Sequence, residues 1–452
     1  MSETPPGFGI FGDLFSTPEM REAFSEEAWF ARMVDVEAAL ARAQGGLGVI
    51  PADAARIINE ACANIKIDMA ALKVGTENVG YPVLPLVRQI AAEAGDAGGY
   101  VHWGATTQDI MDTALVLQLR DGLDLTVLEL RRLIAALMGL SHAHRDTVMA
   151  GRTHLQHALP VTFGFKCANW LSPLVRTLER IKQARPRIEQ LQFAGAVGTL
   201  ASLGGDAQPV REALGKELQL DVPGIGWHAA RDGLAEAVSI IAILSGLCAK
   251  IATDVILLMQ TEVGEAFEPY AHGRGGSSTM PQKRNPMAAE YVLAAGRNIQ
   301  AQVPVLMAAL AGDHERATGP WHAEWTALPQ VFLLGAGALT RTVDIVEGLE
   351  VHPERMAANL AATGGLIMAE PVMMALGPHL GRQMAHDVVE DACRKAITEE
   401  KIFAECLAAD SRISDHLDAA DIETLLNPAR YTGLAGEFTD NVVAAAQAAL
   451  ES

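Results

Sequence analysis

At 452 residues, half of them hydrophobic and only 5% aromatic, the chain is long enough to bury a large core and to divide into two or three domains. Its net charge of −20 argues against nonspecific binding to nucleic acid or to an anionic membrane, so an anionic substrate would need a locally positive site. The five cysteines (62, 167, 248, 393, 406) form no CxxC pair, which speaks against a disulfide framework or a zinc site and fits a reducing cytoplasm.

Alanine and leucine dominate and aromatics are sparse, a mix that suits packed helices, as in an all-α fold, better than a β-sandwich. The opening Met1-Ser2-Glu3-Thr4-Pro5-Pro6 lacks the basic and apolar regions of a signal peptide. Gly7-Phe8-Gly9-Ile10-Phe11-Gly12 matches GxGxxG, but no strand precedes it, so it reads as a flexible arm. Pro18-Glu19 opens a helix over 18–46 with Phe24, Ala28, Met33, Val34, Val36 and Leu40 as its apolar stripe. Shorter helices follow at 51–64, 68–73 and 82–94, broken by Gly95, Gly98 and Gly99.

After His102-Trp103-Gly104-Ala105-Thr106-Thr107-Gln108-Asp109, one long helix reaches about His144, with Leu115, Leu119, Leu123, Val127, Leu130, Ile134 and Leu137 keeping its period. Gly151-Arg152-Thr153-His154-Leu155-Gln156-His157-Ala158-Leu159-Pro160 precedes a second long helix over 161–193. A third, over 229–265, is apolar round most of its circumference and belongs at a bundle centre or a subunit contact. Its longest uncharged apolar run, Ala237 to Ala249, is too short to span a bilayer. A fourth helix starts after Pro286 and kinks at Pro304, and a fifth covers 322–348. Val351-His352-Pro353 reads as a boundary before shorter, more charged helices. No alternating strand pattern longer than four or five residues stands out. The resulting domains are 1–110, 111–350 and 351–452.

The segment Gly275-Gly276-Ser277-Ser278-Thr279-Met280-Pro281-Gln282-Lys283-Arg284-Asn285-Pro286 carries the densest chemistry. Its glycines permit close backbone approach to a ligand, and its prolines forbid a continuous helix. A β-elimination needs a base, donors for the developing aci-carboxylate and an acid for the leaving group. Lys283 and Asn285 suit substrate carboxylates. Ser277 needs neighbouring cations to act as a base, and from spacing alone either serine reads first as a turn hydroxyl. His154 alone is more often structural, and with His157 it lacks the third ligand of a metal site. His102, Thr106, Thr107 and Gln108 come before a helix start, where a carboxylate can bind or Thr107 or Asp109 can simply cap. Arg316 has the planar fork of a carboxylate clamp.

This segment resembles the signature loop of the fumarase/aspartase superfamily, whose pattern is roughly G-S-S-x-M-P-x-K-x-N-P, and every fixed position is met. The segments at 102–109 and 151–160 resemble the superfamily's other shared regions, in the same order. The resemblance implies three mostly helical domains, with long central helices of four subunits forming a twenty-helix core. Each active site would draw its motifs from three subunits. It implies catalysis without metal or organic cofactor, with Ser277 as the proton-transfer residue and His154 oriented by Glu290. Arg152, Thr153, Lys283, Asn285 and Arg316 join His102, Thr106, Thr107 and Gln108 as substrate-binding residues.

Within the superfamily, adenylosuccinate lyases carry serines and a further arginine for the nucleotide phosphate near 313–325, where this chain has Trp321 and Trp325. Phe15-Ser16-Thr17-Pro18-Glu19-Met20 resembles their opening segment, but Leu14 stands in place of its basic residue. Pro320-Trp321-His322-Ala323-Glu324-Trp325 and Val116-Leu117-Gln118-Leu119-Arg120-Asp121 instead resemble the bacterial 3-carboxy-cis,cis-muconate cycloisomerases. That branch implies lactone formation from a small polycarboxylate in aromatic catabolism. Members of the branch can lack the His/Glu pair, so the retained His154 and Glu290 keep open a C–N lyase that releases fumarate from an N-substituted aspartate. A non-catalytic structural homologue is the third reading, and the intact loop speaks against it.

Overall fold

The computed structural model describes residues 9–269, 275, 276, 279, 280, 282–316 and 318–451. The chain divides into two compact units. The first comprises Met1–Glu129, Thr177–Cys248 and Tyr291–Thr340, and the second Leu130–Arg176, Ala249–Glu290 and Arg341–Ser452. Helices supply nearly all the regular structure, as the composition predicts.

In the first unit the expected helix over 18–46 is two helices, Pro18–Ala23 and Glu26–Leu47. The break is chemical: the Ser25 side chain accepts from Ala28 N at 3.1 Å, and Glu26 and Glu27 follow in the first turn. Met33, Val36 and Leu40 then bury their side chains with Ile58, Leu86, Ile90, Ile110 and Leu117 in one core. That core packs the start of the long helix Thr107–Ala143, which fixes the segment before it.

The second unit holds a feature that the sequence reading left out. Val148–Thr153 and Gln156–Thr162 form an antiparallel hairpin, with a register shift between Ala150 and Arg152. Neither strand alternates polar and apolar residues. Gly151 and Pro160 interrupt them, and the bulge absorbs the mismatch. Gly151 is required, since a Cβ there would lie 2.7 Å from the Leu159 carbonyl. The next helix therefore begins at Phe163 rather than 161, with Phe165 N donating to the Thr162 hydroxyl at 3.1 Å, and it ends at Ile188.

The third long helix runs Asp232–Met259, and the helices after it run Met287–Ala308 and Pro320–Glu347. By length and composition alone Asp232–Met259 is long and apolar enough to cross a bilayer, its most apolar 18 residues having a mean hydropathy of 2.0, as a helix of a protein core can also be, and 44% of that stretch is buried in the single chain. The full helix is thus longer than its uncharged run suggests. The C-terminal helices pack around Val372, Leu376, Val388, Ala392, Phe403 and Leu407.

Candidate active site

In the first unit, residues 102–109 form a turn into the helix Thr107–Ala143. Asp109 holds this turn. Its carboxylate accepts from Thr106 N at 3.0 Å, from Ala194 N and Gly195 N at 2.9 Å each, and from Gln192 Nε2 at 3.2 Å. His228 Nε2 lies 2.8 Å away. Two loops remote in sequence are thereby fastened to one buried side chain. Arg316 closes the arrangement by donating to the Thr106 hydroxyl at 2.7 Å and to the Ala196 carbonyl at 2.6 Å. Its partners here are neutral oxygens, so its positive charge is available to an anion.

His102, held at φ 62, places Nδ1 2.6 Å from Glu37 Oε1. Burial opposes charge on this imidazole, but the Glu37 carboxylate outweighs it and raises the pKa above the ordinary value. Gln108 is fully buried, and its amide donates to Asp112 at 3.0 Å and to the His228 carbonyl at 2.9 Å. It lies in the polar layer under the turn, unlike the half-buried Thr106 and Thr107.

That layer centres on Arg231, 2% exposed, whose guanidinium meets Asp112 at 2.6 and 3.0 Å and Glu324 at 2.5 and 3.0 Å. Trp321 Nε1 donates to Asp112 at 3.2 Å. Tyr81 stacks on Trp321 at 5.7 Å, and the exposed His322 sits 4.6 Å from Trp325. The tryptophan-bearing segment after Arg316 is thus fixed through Glu324 and Trp321.

In the second unit, the hairpin turn consists of His154 and Leu155, at φ 52 and 61. Both side chains are exposed. Arg152 forms a bidentate pair with Glu265 at 2.7 and 2.8 Å, and Asn359 Nδ2 donates to the same carboxylate at 2.8 Å. Arg152 therefore ties the hairpin to its neighbours, while Thr153 and His154 lie exposed at its tip. His157 pairs with Arg152 across the hairpin, so the i, i+3 spacing of the two histidines is not that of a helix face.

Ser277 and Ser278 lie outside the described residues. The neck of their loop is described: Gly275, at φ 68, accepts from Asn285 N at 3.1 Å through its carbonyl, and Gly276 bridges to Arg284. Of the two cations there, Arg284 is committed to Glu350 at 2.9 and 3.0 Å and stacks on Phe267 at 4.9 Å. Lys283 is exposed and meets no carboxylate among the described residues. Glu290, also exposed, lies in the first turn of Met287–Ala308. Among the described residues no hydrogen bond or ion pair joins His154 to Glu290 within the single chain.

Residues that the sequence reading passed over support the site. Glu37 lay in plain view as a carboxylate on the apolar stripe between Met33 and Leu40. Glu268 accepts from Ala288 N at 3.2 Å and Ala289 N at 2.7 Å, capping from a distance the helix that follows the loop. Nothing local signals that role. One further cluster of ligand-type side chains, His386, Asp387 and Glu390, is exposed and includes none of the site residues.

Residues 14–301 match the family model described as Lyase, and residues 365–442 match that of the adenylosuccinate lyase C-terminus. A 3-carboxy-cis,cis-muconate cycloisomerase of Bradyrhizobium diazoefficiens is 45% identical over 96% of this chain and 97% of its own. The crystal structure of the 3-carboxy-cis,cis-muconate lactonizing enzyme from Pseudomonas putida superposes with a TM-score of 0.93 at 42% identity, covering 97% of this chain and 99% of that one. A fumarate lyase from Mesorhizobium sp. BNC1 gives a TM-score of 0.90 at 46% identity, covering 95% and 98%. With its signature segments in order and a family model spanning more than half its length, the chain belongs to the lyase family of the fumarase/aspartase superfamily.

Proposed function

We propose that the chain is a lactonizing cycloisomerase that acts on 3-carboxy-cis,cis-muconate. The observation that carries this reading is Arg316, held by the Thr106 hydroxyl so that one guanidinium is offered to a carboxylate, and followed in sequence by Trp321 and Trp325 rather than by further cations for a nucleotide phosphate. The relatives' near full-length match is consistent with it.

In the proposed step, a substrate carboxylate oxygen adds to a carbon of the conjugated diene and forms the lactone C–O bond. The π pair moves onto the carbon beside a second carboxylate, giving an aci-carboxylate held by Lys283, Asn285 and Arg316. Ser277 delivers its proton to that carbon, and solvent reprotonates the serine, so one proton is taken up per turnover. Because the nucleophile is internal, His154 positions the substrate. The reverse direction is β-elimination of a carboxylate. The site is assembled in a homotetramer, each active site drawing on three subunits, with 1–110, 111–350 and 351–452 as its domains. The partly uncovered apolar face of Asp232–Met259 suits such a core.

A second reading rests on the retained His154 and Glu290. An acid–base pair serves an amine leaving group, as in release of fumarate from an N-substituted aspartate. Ultraviolet absorbance with 3-carboxy-cis,cis-muconate and EDTA separates the two. Loss of the diene band with a lactone product is expected; no loss, with fumarate released from N-substituted aspartates, would establish the second. Ser277→Ala should abolish turnover in an intact tetramer, and normal turnover would remove Ser277 from its role. A scaffold protein would bind no tricarboxylate, whereas the enzyme should bind it and lose it in Lys283→Ala.

A further inference from the structure

Trp103 is the second residue of a tight turn. Ala105 N donates to the His102 carbonyl at 3.3 Å, and Gly104, at φ 73, supplies the left-handed corner of a type II turn. The turn is fixed at each step. His102 Nδ1 lies 2.6 Å from Glu37, the fully buried Gln44 donates its amide to the Trp103 carbonyl at 2.7 Å, and a Cβ on Gly104 would lie 2.8 Å from the Leu203 side chain. The Trp103 indole is left out of this packing. It is 44% exposed, and among the described residues its one ring contact is Tyr100, tilted by 44° at 6.0 Å. A large apolar ring is thus presented to solvent on a backbone that cannot fold it away.

Thr106, which Arg316 holds, lies three residues further on, at most ~11 Å of chain. A small polycarboxylate with one end on Arg316 therefore has the rest of its length within reach of the indole. We infer that Trp103 is a specificity residue whose indole face takes the flat, conjugated part of the substrate, so that the site prefers a planar unsaturated polycarboxylate to a saturated one. The inference rests on the proposed site, with Arg316 as its carboxylate clamp. The work is divided by chemistry. Cations take the charged ends, and a diene, which has no hydrogen-bonding group of its own, gains from contact with a π face. A substituted aspartate has tetrahedral carbons and cannot lie flat on the ring. Trp103 thereby selects between two substrate classes whose carboxylates alone would satisfy the same guanidinium.

The probes are trimellitate, a flat benzene tricarboxylate, and tricarballylate, a saturated open-chain acid with as many carboxylates. Each is titrated calorimetrically into the full-length protein. Wild type should bind trimellitate about three- to tenfold more tightly, the scale of one aromatic contact. Trp103→Leu keeps an apolar side chain and leaves the backbone bonds of the turn and the one to Gln44 in place. It should lose the preference with tricarballylate affinity unchanged, and Trp103→Phe should restore most of it. No trimellitate preference in wild type, or the same preference in Trp103→Leu, would overturn the inference. Equal weakening of both acids would overturn it too, since a merely structural residue acts on both alike. The cycloisomerase reading fails separately: a preference lost in Trp103→Leu while 3-carboxy-cis,cis-muconate stays uncyclised would end that reading and leave Trp103 its role.

Discussion

Arg316 and Thr106 are joined by a 2.7 Å hydrogen bond although 210 residues separate them in sequence. The contact forms because Asp109 draws the 102–106 turn and the 194–196 loop together, and Arg316 bonds to both. An arginine held by a hydroxyl and carbonyls keeps its charge for a ligand while its position is fixed beforehand. Arg316→Met should lower kcat/KM by on the order of 10- to 100-fold, the ~1.5–3 kcal/mol of a hydrogen bond to a charged group, with KM raised by the lost ground-state contact and kcat lowered by the lost hold on the aci-carboxylate. Steady-state kinetics check this, and an unchanged KM would take Arg316 out of the binding site.

The pair His102 and Glu37 makes a pH-dependent prediction. The pKa of His102 is raised in the fold, burial opposing and Glu37 prevailing. Its stabilising contribution is therefore fully present below the unfolded value near 6.5 and is lost as pH climbs through the raised folded value. Glu37→Gln should bring the His102 titration, followed by NMR, back down. It should also raise KM for the polycarboxylate more at about pH 7 than at about pH 6.

Leu155 sits at φ 61 in a turn of the kind that asparagine and glycine usually occupy. A branched residue there costs roughly 1–2 kcal/mol, part of which glycine would return to the unfolded state as chain entropy. Leu155→Gly should raise the denaturation midpoint by about 1 kcal/mol equivalent, and a lowered midpoint would show that the turn is not strained. Storage of strain at a tip that also carries His154 fits a site whose geometry takes precedence over local preference.

Glu324 shares Arg231 with Asp112 in a pocket closed to solvent. Removing one partner leaves a buried cation half compensated. Glu324→Ala should therefore destabilise the protein by about 3–5 kcal/mol, read as a fall in Tm. The aromatic cluster of Trp321 and Trp325 should loosen with it, and near-ultraviolet circular dichroism would report that change.

The helices were legible because their apolar period survives any tertiary context, as Leu115 through Leu137 illustrate. The hairpin at 148–162 was not, since Gly151 and Pro160 mask the strands and His154-Leu155 offers no turn signature. Of the proposed site residues, Arg316, Thr106 and Lys283 could be named from residue type and neighbours. The supports could not: Asp109, His228 and Gln192 meet only through packing, across more than 80 residues of chain. Arg152 and Gln108 look equally apt for substrate in the sequence, and only the fold shows Glu265 and Asp112 already engaging them.

Glu268 gives both of its carboxylate oxygens to the backbone of Ala288 and Ala289. The stretch from 269 to 287 thus leaves and returns at one side chain, like a bag tied at the neck. The cost of closing such a stretch rises only with the logarithm of its length, roughly 0.6 kcal/mol for each doubling. The helix beyond the tie therefore keeps its starting point and direction independently of the stretch between, because its first turn is held by a side chain that lies before that stretch.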